Sequence, residues 1–168
     1  MRAAVGLSIH TGWAAAVALS SRAEVLHRSR IELADDRHDA RFAYHAAAER
    51  PRAAEGILRA ATLVARERAI TALRDMTSAL GRAPILAVPR ARRSLPALDK
   101  ILASHPLMHT AEGELYRQAI LAAAESLGLE VVTPEHPVDP EVGKMSAPWG
   151  KDQKLAAALA WAALGQPS

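Results

Sequence analysis

The feature that most constrains the fold is a pair of short apolar segments at the start of the chain. Residues 3–7 and 13–19 are rich in alanine and valine, and the mainly polar segment 8–12, SIHTG, separates them. Each segment is too short for a stable helix, and the small residues between them are typical of a tight turn. The pattern therefore predicts two strands joined as a hairpin.

Later segments continue the sheet and add helices. Residues 22–33 alternate imperfectly between apolar and polar positions, which predicts a third strand that extends the hairpin into a meander. Short apolar segments at 84–88 and 129–133 predict two further strands. Helical periodicity predicts three longer helices, over residues 51–80, 110–127 and 151–164.

Two residues mark the predicted start of the second long helix. Thr110 is a suitable N-cap residue, and Glu112 lies in the following turn, where a negative charge is favourable. His105 and His109 then flank a turn that contains Pro106. On this interpretation the spacing of the two histidines implies no common face.

The order of these elements predicts the fold class. Three consecutive strands give an antiparallel meander, whereas the later strands are joined through helices and are expected to be parallel. We predict an α/β protein with a five-stranded mixed sheet flanked by helices, in a single domain over residues 1–168. Residues 134–150 contain four prolines and two glycines, which predicts a flexible, irregular connection.

Composition limits the class of protein. The absence of cysteine excludes disulfides and thiolate metal sites. No stretch of about eighteen apolar residues occurs, so we expect a soluble, cytoplasmic protein that does not contact a membrane. The formal net charge of +3 permits binding to nucleic acid without requiring it.

Three segments carry a resemblance to a known family. Residues 6–14, GLSIHTGWA, resemble the first hairpin of RuvC-type Holliday-junction resolvases, which belong to the ribonuclease H-like superfamily. Residues 84–88 fall where the fourth strand of that family carries a glutamate. Residues 151–159, KDQKLAAAL, resemble its closing helix, which begins with aspartates. The resemblance implies a ribonuclease H-like fold for nearly the whole chain.

The same resemblance implies where catalytic acids would stand. In the family, carboxylates from the first strand, the fourth strand and the last helix hold two divalent ions that activate water for phosphodiester cleavage. Here Ser8 occupies the first position, residues 84–88 contain no acid, and Asp152 matches the last helix, with Leu155 one turn later. Standard two-metal nuclease activity is therefore not expected. The leading interpretation is a catalytically degenerate domain, a pseudoenzyme, that binds nucleic acid or a protein partner.

A basic loop and the start of the last helix supply the candidates for contact with DNA or RNA. Arg90, Arg92 and Arg93 follow the fourth predicted strand, at the edge of the expected cleft, where they can bind phosphates. Lys151 and Trp149 lie at the start of the last helix, and an indole can stack on a base. The alternatives are a solvated loop for the arginines and an anchoring contact with the core for Trp149.

A second interpretation is an active phosphoester hydrolase or nuclease with a rebuilt site. Its candidate catalytic residues are Ser8, His10, His109, Glu112 and Asp152. Mg²⁺ or Mn²⁺ would be a cofactor only under this interpretation, and a zinc or manganese site formed by His10, His109 and Asp152 is a variant of it. Each residue also has a structural alternative, as a packing residue, a turn contact or a helix-terminal charge.

A third interpretation is a homo-oligomeric scaffold, with a homodimer as its simplest form. The predicted last helix is rich in alanine, and on this interpretation it packs on a partner. Light scattering over a range of concentrations distinguishes this interpretation from a monomer.

Overall fold

Residues 2–165 of the chain are described by a computed structural model, in which the first three strands form an antiparallel meander. Two residues join β1 (Ala3–His10) to β2 (Trp13–Ser20), and β3 (Val25–Glu32) follows after a second short turn. β1 therefore extends beyond the apolar segment of residues 3–7 and includes Ser8 and His10. Gly12 makes the tight turn possible because its φ of +83° lies in the left-handed region.

Six α-helices occur within the described residues. They are α1 (His38–Arg41), α2 (Ala43–Glu49), α3 (Ala54–Leu80), α4 (Leu98–Leu102), α5 (His105–Ser126) and α6 (Lys151–Ala163). A 3₁₀ turn at Pro51–Ala53 precedes α3, and Gly81 ends that helix in the left-handed conformation. None of the helices in residues 2–165 is both long enough and apolar enough to cross a bilayer.

The sheet contains five strands in the order β3-β2-β1-β4-β5, with β4 at Ile85–Ala87 and β5 at Val131–Val132. β1 pairs antiparallel with β2, and β2 pairs antiparallel with β3. β4 is parallel to both of its neighbours, β1 and β5. The predicted five-stranded mixed sheet, a meander followed by two parallel strands, is therefore confirmed.

Different helices cover the two faces of the sheet. Val5 and Leu7 belong to the larger apolar cluster, which β1 forms with α3 and α5. Ala4 belongs to a second cluster, which is formed with α6. Successive side chains of a strand point to opposite faces, so the almost continuous apolar sequence of β1 is that of a strand covered on both sides.

The last helix lies very close to the central strand. A Cβ atom added to Gly6 would lie 1.8 Å from the carbonyl oxygen of Ala156, so only glycine fits at this position. Ala156, Ala157 and Ala160 pack in the apolar cluster between the helix and the sheet. The alanine-rich face of α6, considered above as a surface for a partner, is thus covered by the chain's own sheet.

The start of α5 differs from the prediction. The helix begins at His105, after Ser104 as the cap residue, so Thr110 is not an N-cap. The Thr110 hydroxyl instead donates to the carbonyl oxygen of Pro106, one turn earlier in the helix. Proline is tolerated in a first turn because the N–H groups there have no helical acceptor. His105 and His109 are therefore four residues apart on one helix and do share a face.

Candidate functional site

A cleft opens at the carboxyl end of β1, between the loop that follows β4, the amino-terminal half of α5 and the start of α6. Its volume is about 340 Å³. Ser8 and His10 of β1 line it together with Lys151 and Asp152 of α6. The fold creates the cleft because β1 and β4 are parallel neighbours, so their carboxyl ends meet at one edge of the sheet.

Ser8, His10 and Asp152 form a hydrogen-bonded group on the floor of the cleft. The Ser8 hydroxyl donates to Oδ1 of Asp152 at 3.0 Å. Nε2 of His10 lies 2.7 Å from the same oxygen and 3.3 Å from Oγ of Ser8. Ser8 is buried, whereas the other two side chains are partly exposed to the cleft. The sequence predicted that these three residues would lie at the cleft, and the structure brings them into direct contact.

This group does not have the geometry of an activated serine. Activation requires the serine to donate its proton to one imidazole nitrogen while a carboxylate holds the other nitrogen. Here Nε2 of His10 faces both Ser8 and Asp152, and the Ser8 proton is directed to the carboxylate. The group therefore joins the start of α6 to the end of β1.

Asp152 is held in its charged form. Burial at the start of α6 would by itself raise the pKa of Asp152, but hydrogen bonds from His10 and Ser8 outweigh this effect and lower the pKa. Coulombic interactions with His10 and Lys151 lower the pKa further. At neutral pH the carboxylate therefore accepts hydrogen bonds and is not available as a proton donor.

An aromatic contact restrains His10. Its ring stacks on that of Trp13, with 4.2 Å between centroids and 11° between planes. The guanidinium of Arg30 lies 3.9 Å from the centroid of the same indole ring, in a cation–π contact. These contacts fix the imidazole on the β1–β2 hairpin and keep it directed at Asp152.

The rim of the cleft is basic. The lining contains five Arg or Lys side chains and two acidic ones. The basic residues are Arg90, Arg92, Arg93, Arg117 and Lys151, and the acidic residues are Glu114 and Asp152. Local electrostatics at this surface therefore favours anions over cations.

The contacts of these charged groups decide which of them are available to a ligand. Arg117 donates to the carbonyl oxygen of Pro89 at 2.7 Å and to Glu114 at 3.1 Å, so its role is to hold the loop after β4. Arg90 pairs with Glu135 at the surface. Arg92 and Arg93 are exposed and form no ion pair with any residue of 2–165. Lys151 is likewise exposed and forms no ion pair within residues 2–165, so these three are the rim cations that are most accessible to a ligand.

Trp149 packs on the core, which supports the alternative that this residue has an anchoring role. The side chain is half-buried and packs against the apolar cluster between the sheet and α6. Arg28 of β3 holds the preceding residues by donating to the carbonyl oxygens of Ser146 and Pro148, at 2.7 and 3.2 Å. The indole therefore anchors the segment that leads into α6.

Glu112 belongs to a second polar group, which also contains His45, His105 and His109. It is fully buried, and its Oε1 lies 2.7 Å from Nδ1 of His45 and accepts the backbone N–H of His45 at 3.3 Å. Its Oε2 has no hydrogen-bond partner among the described residues, and Nδ1 of His109 lies 3.7 Å away. The ring of His105 packs against those of His45 and His109, with centroids 5.0 and 4.5 Å apart.

The structure thus divides the five candidate catalytic residues into two groups. Ser8, His10 and Asp152 form one, whereas Glu112 and His109 belong to the histidine group with His45, and no hydrogen bond joins the two groups within residues 2–165. Sequence reasoning did not find His45, which comes from a different helix. The spacing of positions 105, 109 and 112, which places three polar residues on one helical face, was the available signal for the other members.

The cleft residues do not fit a two-metal site. Two divalent ions need several carboxylate ligands around one point. Asp152 is the carboxylate beside Ser8, while β4 (Ile85–Ala87) contains no acid, and Glu114 is engaged by Arg117 and Gln118. The surplus of basic side chains on the rim also repels cations.

Together these observations define a class of fold. A sheet of order β3-β2-β1-β4-β5, with an antiparallel meander, two parallel strands and helices on both faces, is the ribonuclease H-like fold. Among solved structures, the chain is similar to T. thermophilus RuvC in complex with a Holliday junction substrate. The TM-score is 0.59 at 11% sequence identity, and the match covers 96% of this chain and 92% of that one. No protein-family model matches the sequence, and no curated protein matches it.

Proposed function

We propose that the cleft binds the phosphate backbone of a nucleic acid and that it does so without two-metal cleavage. The observation that carries this proposal is the charge of the cleft, where five basic side chains accompany two acidic ones. Phosphate contacts from Arg and Lys supply most of the affinity in nucleic-acid binding that does not depend on sequence. A cleft of this charge at the end of the central strand suits such contacts.

The two acids do not neutralise the accessible part of the rim. Glu114 is engaged by Arg117 and Gln118, and Asp152 by Ser8 and His10. Arg92 and Arg93 remain exposed beside them, with no acidic partner in residues 2–165. Planar guanidinium groups match phosphate oxygens in a bidentate manner, so these two residues are the main proposed contacts, with Arg90 and Lys151 beside them.

Branched DNA is the ligand to test first. The similar RuvC structure was solved in complex with a Holliday junction substrate, and its fold corresponds to almost the whole of this chain. A shared fold does not transmit a function by itself, so the support for this choice comes from the basic cleft at the carboxyl end of β1 in this chain. Structured RNA and linear duplex DNA serve as comparison ligands.

The test is fluorescence anisotropy with a labelled four-way DNA junction at several salt concentrations. The double variant Arg92→Ala/Arg93→Ala is compared with Arg59→Ala/Arg74→Ala, which removes two exposed arginines of α3 and so the same net charge. Loss of two phosphate contacts makes the slope of log K against log salt shallower by about 1.8. We expect this change for the rim variant and a near wild-type slope for the control.

Two results would overturn the proposal. The first is a wild-type protein that shows no binding to junction, duplex or structured RNA at low salt. The second is equal affinity and equal salt dependence for the rim variant and the α3 control, since binding would then not involve the cleft.

A further inference from the structure

The histidine group beside the cleft has the arrangement of a metal site. One ring nitrogen from each of His45, His105 and His109 lies within 4.8 Å of the other two. In a tetrahedral zinc site with Zn–N bonds of about 2.0–2.1 Å, neighbouring ligand nitrogens are about 3.3 Å apart. The observed separation is larger than this, so the proposed site requires the exposed His105 and the half-exposed His109 to move their rings closer to that of His45.

Two helices hold the three histidines in place. His105 and His109 lie at the start of α5 with the i, i+4 spacing that places two ligands on one helical face, and His45 comes from the middle of α2. The ring centroids of His45 and His109 are 4.7 Å apart. All three proposed ligands are therefore carried by helices, and none of them comes from a loop.

The buried carboxylate of Glu112 is the second, independent observation. A fully buried carboxylate oxygen without a hydrogen-bond donor is costly, yet Oε2 of Glu112 is in this position. The nearest imidazole nitrogen is Nδ1 of His109 at 3.7 Å, while Nδ1 of His45 already contacts Oε1 at 2.7 Å. A cation bound by these histidines would offset the negative charge of the Glu112 carboxylate. A hydrogen bond from Nδ1 of His109 would supply the donor that Oε2 lacks.

This arrangement also orients the ligands. In metal sites, a ligating histidine generally donates its other ring N–H to a carboxylate, which fixes the tautomer and increases the basicity of the ligand. Glu112 faces Nδ1 of both His45 and His109 and leaves their Nε2 atoms for an ion. Glu112 is thus a positioning residue for two of the three ligands.

We propose that His45, His105 and His109 bind a single Zn²⁺ ion or a similar transition-metal ion, with Glu112 as the buried carboxylate that orients them. Imidazole nitrogen selects Zn²⁺, Co²⁺, Ni²⁺ or Cu²⁺ over Mg²⁺ and Ca²⁺, which require oxygen ligands. Three protein ligands leave a fourth position for water or an anion. The exposed His105 provides access from solvent, and His109 also lines the basic cleft. This inference does not rest on the nucleic-acid proposal.

The experiment is a titration of tag-free, chelator-treated full-length protein with Zn²⁺ in competition with a chromophoric chelator. We expect one Zn²⁺ per chain, and excess Mg²⁺ should not displace it. In parallel, Co²⁺ serves as a spectroscopic probe. The d–d absorption bands of a tetrahedral Co²⁺ site should appear with the same stoichiometry.

Three variants and one control identify the ligands. His105→Ala and His109→Ala each remove a ligand at a solvent-accessible position, while Glu112→Gln keeps the shape and removes the charge. Loss of an orienting carboxylate weakens metal affinity by about 10–100-fold, and loss of a ligand should weaken it further. His136→Ala is the matched control, because His136 is an exposed histidine outside α2 and α5 and is not a member of the histidine group. It should bind Zn²⁺ like the wild type.

The readouts also distinguish a structural role from a ligand role. Circular dichroism of the metal-free variants reports on folding, so the result for a folded His105→Ala protein is decisive. The proposal is overturned if wild type binds no stoichiometric Zn²⁺, or if His105→Ala and His109→Ala bind it as tightly as His136→Ala. It is equally overturned if the Co²⁺ spectrum is unchanged in the two ligand variants.

Discussion

The Ser8 hydroxyl donates to Oδ1 of Asp152 at 3.0 Å, although 144 positions separate the two residues in the sequence. The contact exists because α6 packs on β1, where Gly6 permits a very close approach of the helix to the strand. These are two of the positions at which a RuvC-type sequence would be expected to carry acids. In this chain they meet in space as a serine and a single carboxylate, beside a rim of arginines.

The charge of Asp152 should oppose the proposed ligand. Replacing it in Asp152→Asn removes a negative charge from a phosphate-binding cleft, so junction affinity should rise by a few-fold at low salt. Asp75→Asn, at an exposed position on α3, is the charge-matched control and should leave affinity unchanged. Anisotropy titrations with the labelled junction measure both. A loss of affinity in Asp152→Asn would show that the carboxylate takes part in binding, as in a metal-dependent site.

The same carboxylate should make stability depend on pH. At neutral pH, Asp152→Asn should lower the free energy of unfolding by about 1 kcal/mol, because the uncharged amide is a weaker acceptor for Ser8 and His10. Burial tends to raise the pKa of Asp152, but the hydrogen bonds from His10 and Ser8 lower it below its ordinary value. The stabilisation is therefore complete above the unfolded pKa of about 3.9 and is lost as the pH falls through the lower folded value.

Urea unfolding of wild type and Asp152→Asn at neutral pH and at successively lower pH measures this difference. The two free energies of unfolding should converge in the acidic range. A gap that persisted at the lowest pH would mean that the carboxylate charge is not what stabilises the contact between β1 and α6.

The contact between β1 and α6 should tolerate no side chain at position 6. In Gly6→Ala, the new Cβ would lie 1.8 Å from a backbone oxygen of α6, so the helix must move away from the sheet. We expect a loss of about 3 kcal/mol or more in the free energy of unfolding, at the upper end of overpacking effects. Gly56→Ala is the control, since an added Cβ on this helical residue would meet no atom within 4 Å beyond its chain neighbours and the adjacent backbone of its own helix. It should stabilise the protein by about 0.5–1 kcal/mol. Equal effects of the two substitutions in thermal unfolding would exclude the close packing described here.

The observed start of α5 has a consequence for Thr110. An N-cap threonine contributes about 1 kcal/mol, but Thr110 lies inside the helix and donates to Pro106 in the preceding turn. Thr110→Ala should therefore change the free energy of unfolding by less than about 0.5 kcal/mol, because alanine has the better helix propensity. Chemical denaturation measures this, and a loss of about 1 kcal/mol or more would support a helix that begins at Thr110.

The fold could be predicted because its signals are local. Each signal lies within a few neighbouring residues. Examples are the two apolar segments of β1 and β2, the glycine that ends α3 and the apolar segment of β4. Their order then restricts the sheet to few topologies. The topology and the family resemblance made Ser8 and Asp152 candidates for one cleft, whereas their direct contact is a finding of the structure.

The histidine group could not be predicted in the same way. His45 reaches Glu112 through the packing of α2 on α5, which no periodicity in the sequence indicates. The interpretation of Pro106 as part of a turn also separated His105 from His109, whereas the proline lies in the first helical turn. A tertiary contact and an ambiguous helix start therefore concealed this part of the site.

The most direct test of the central claim measures binding and cleavage of one labelled four-way DNA junction in the same sample, with Mg²⁺ present. We expect a complex that requires Arg92 and Arg93 and from which the DNA is recovered uncut. Recovery of nicked or resolved junction by wild type but not by Asp152→Asn would contradict it, because the cleft would then be a working metal-dependent site.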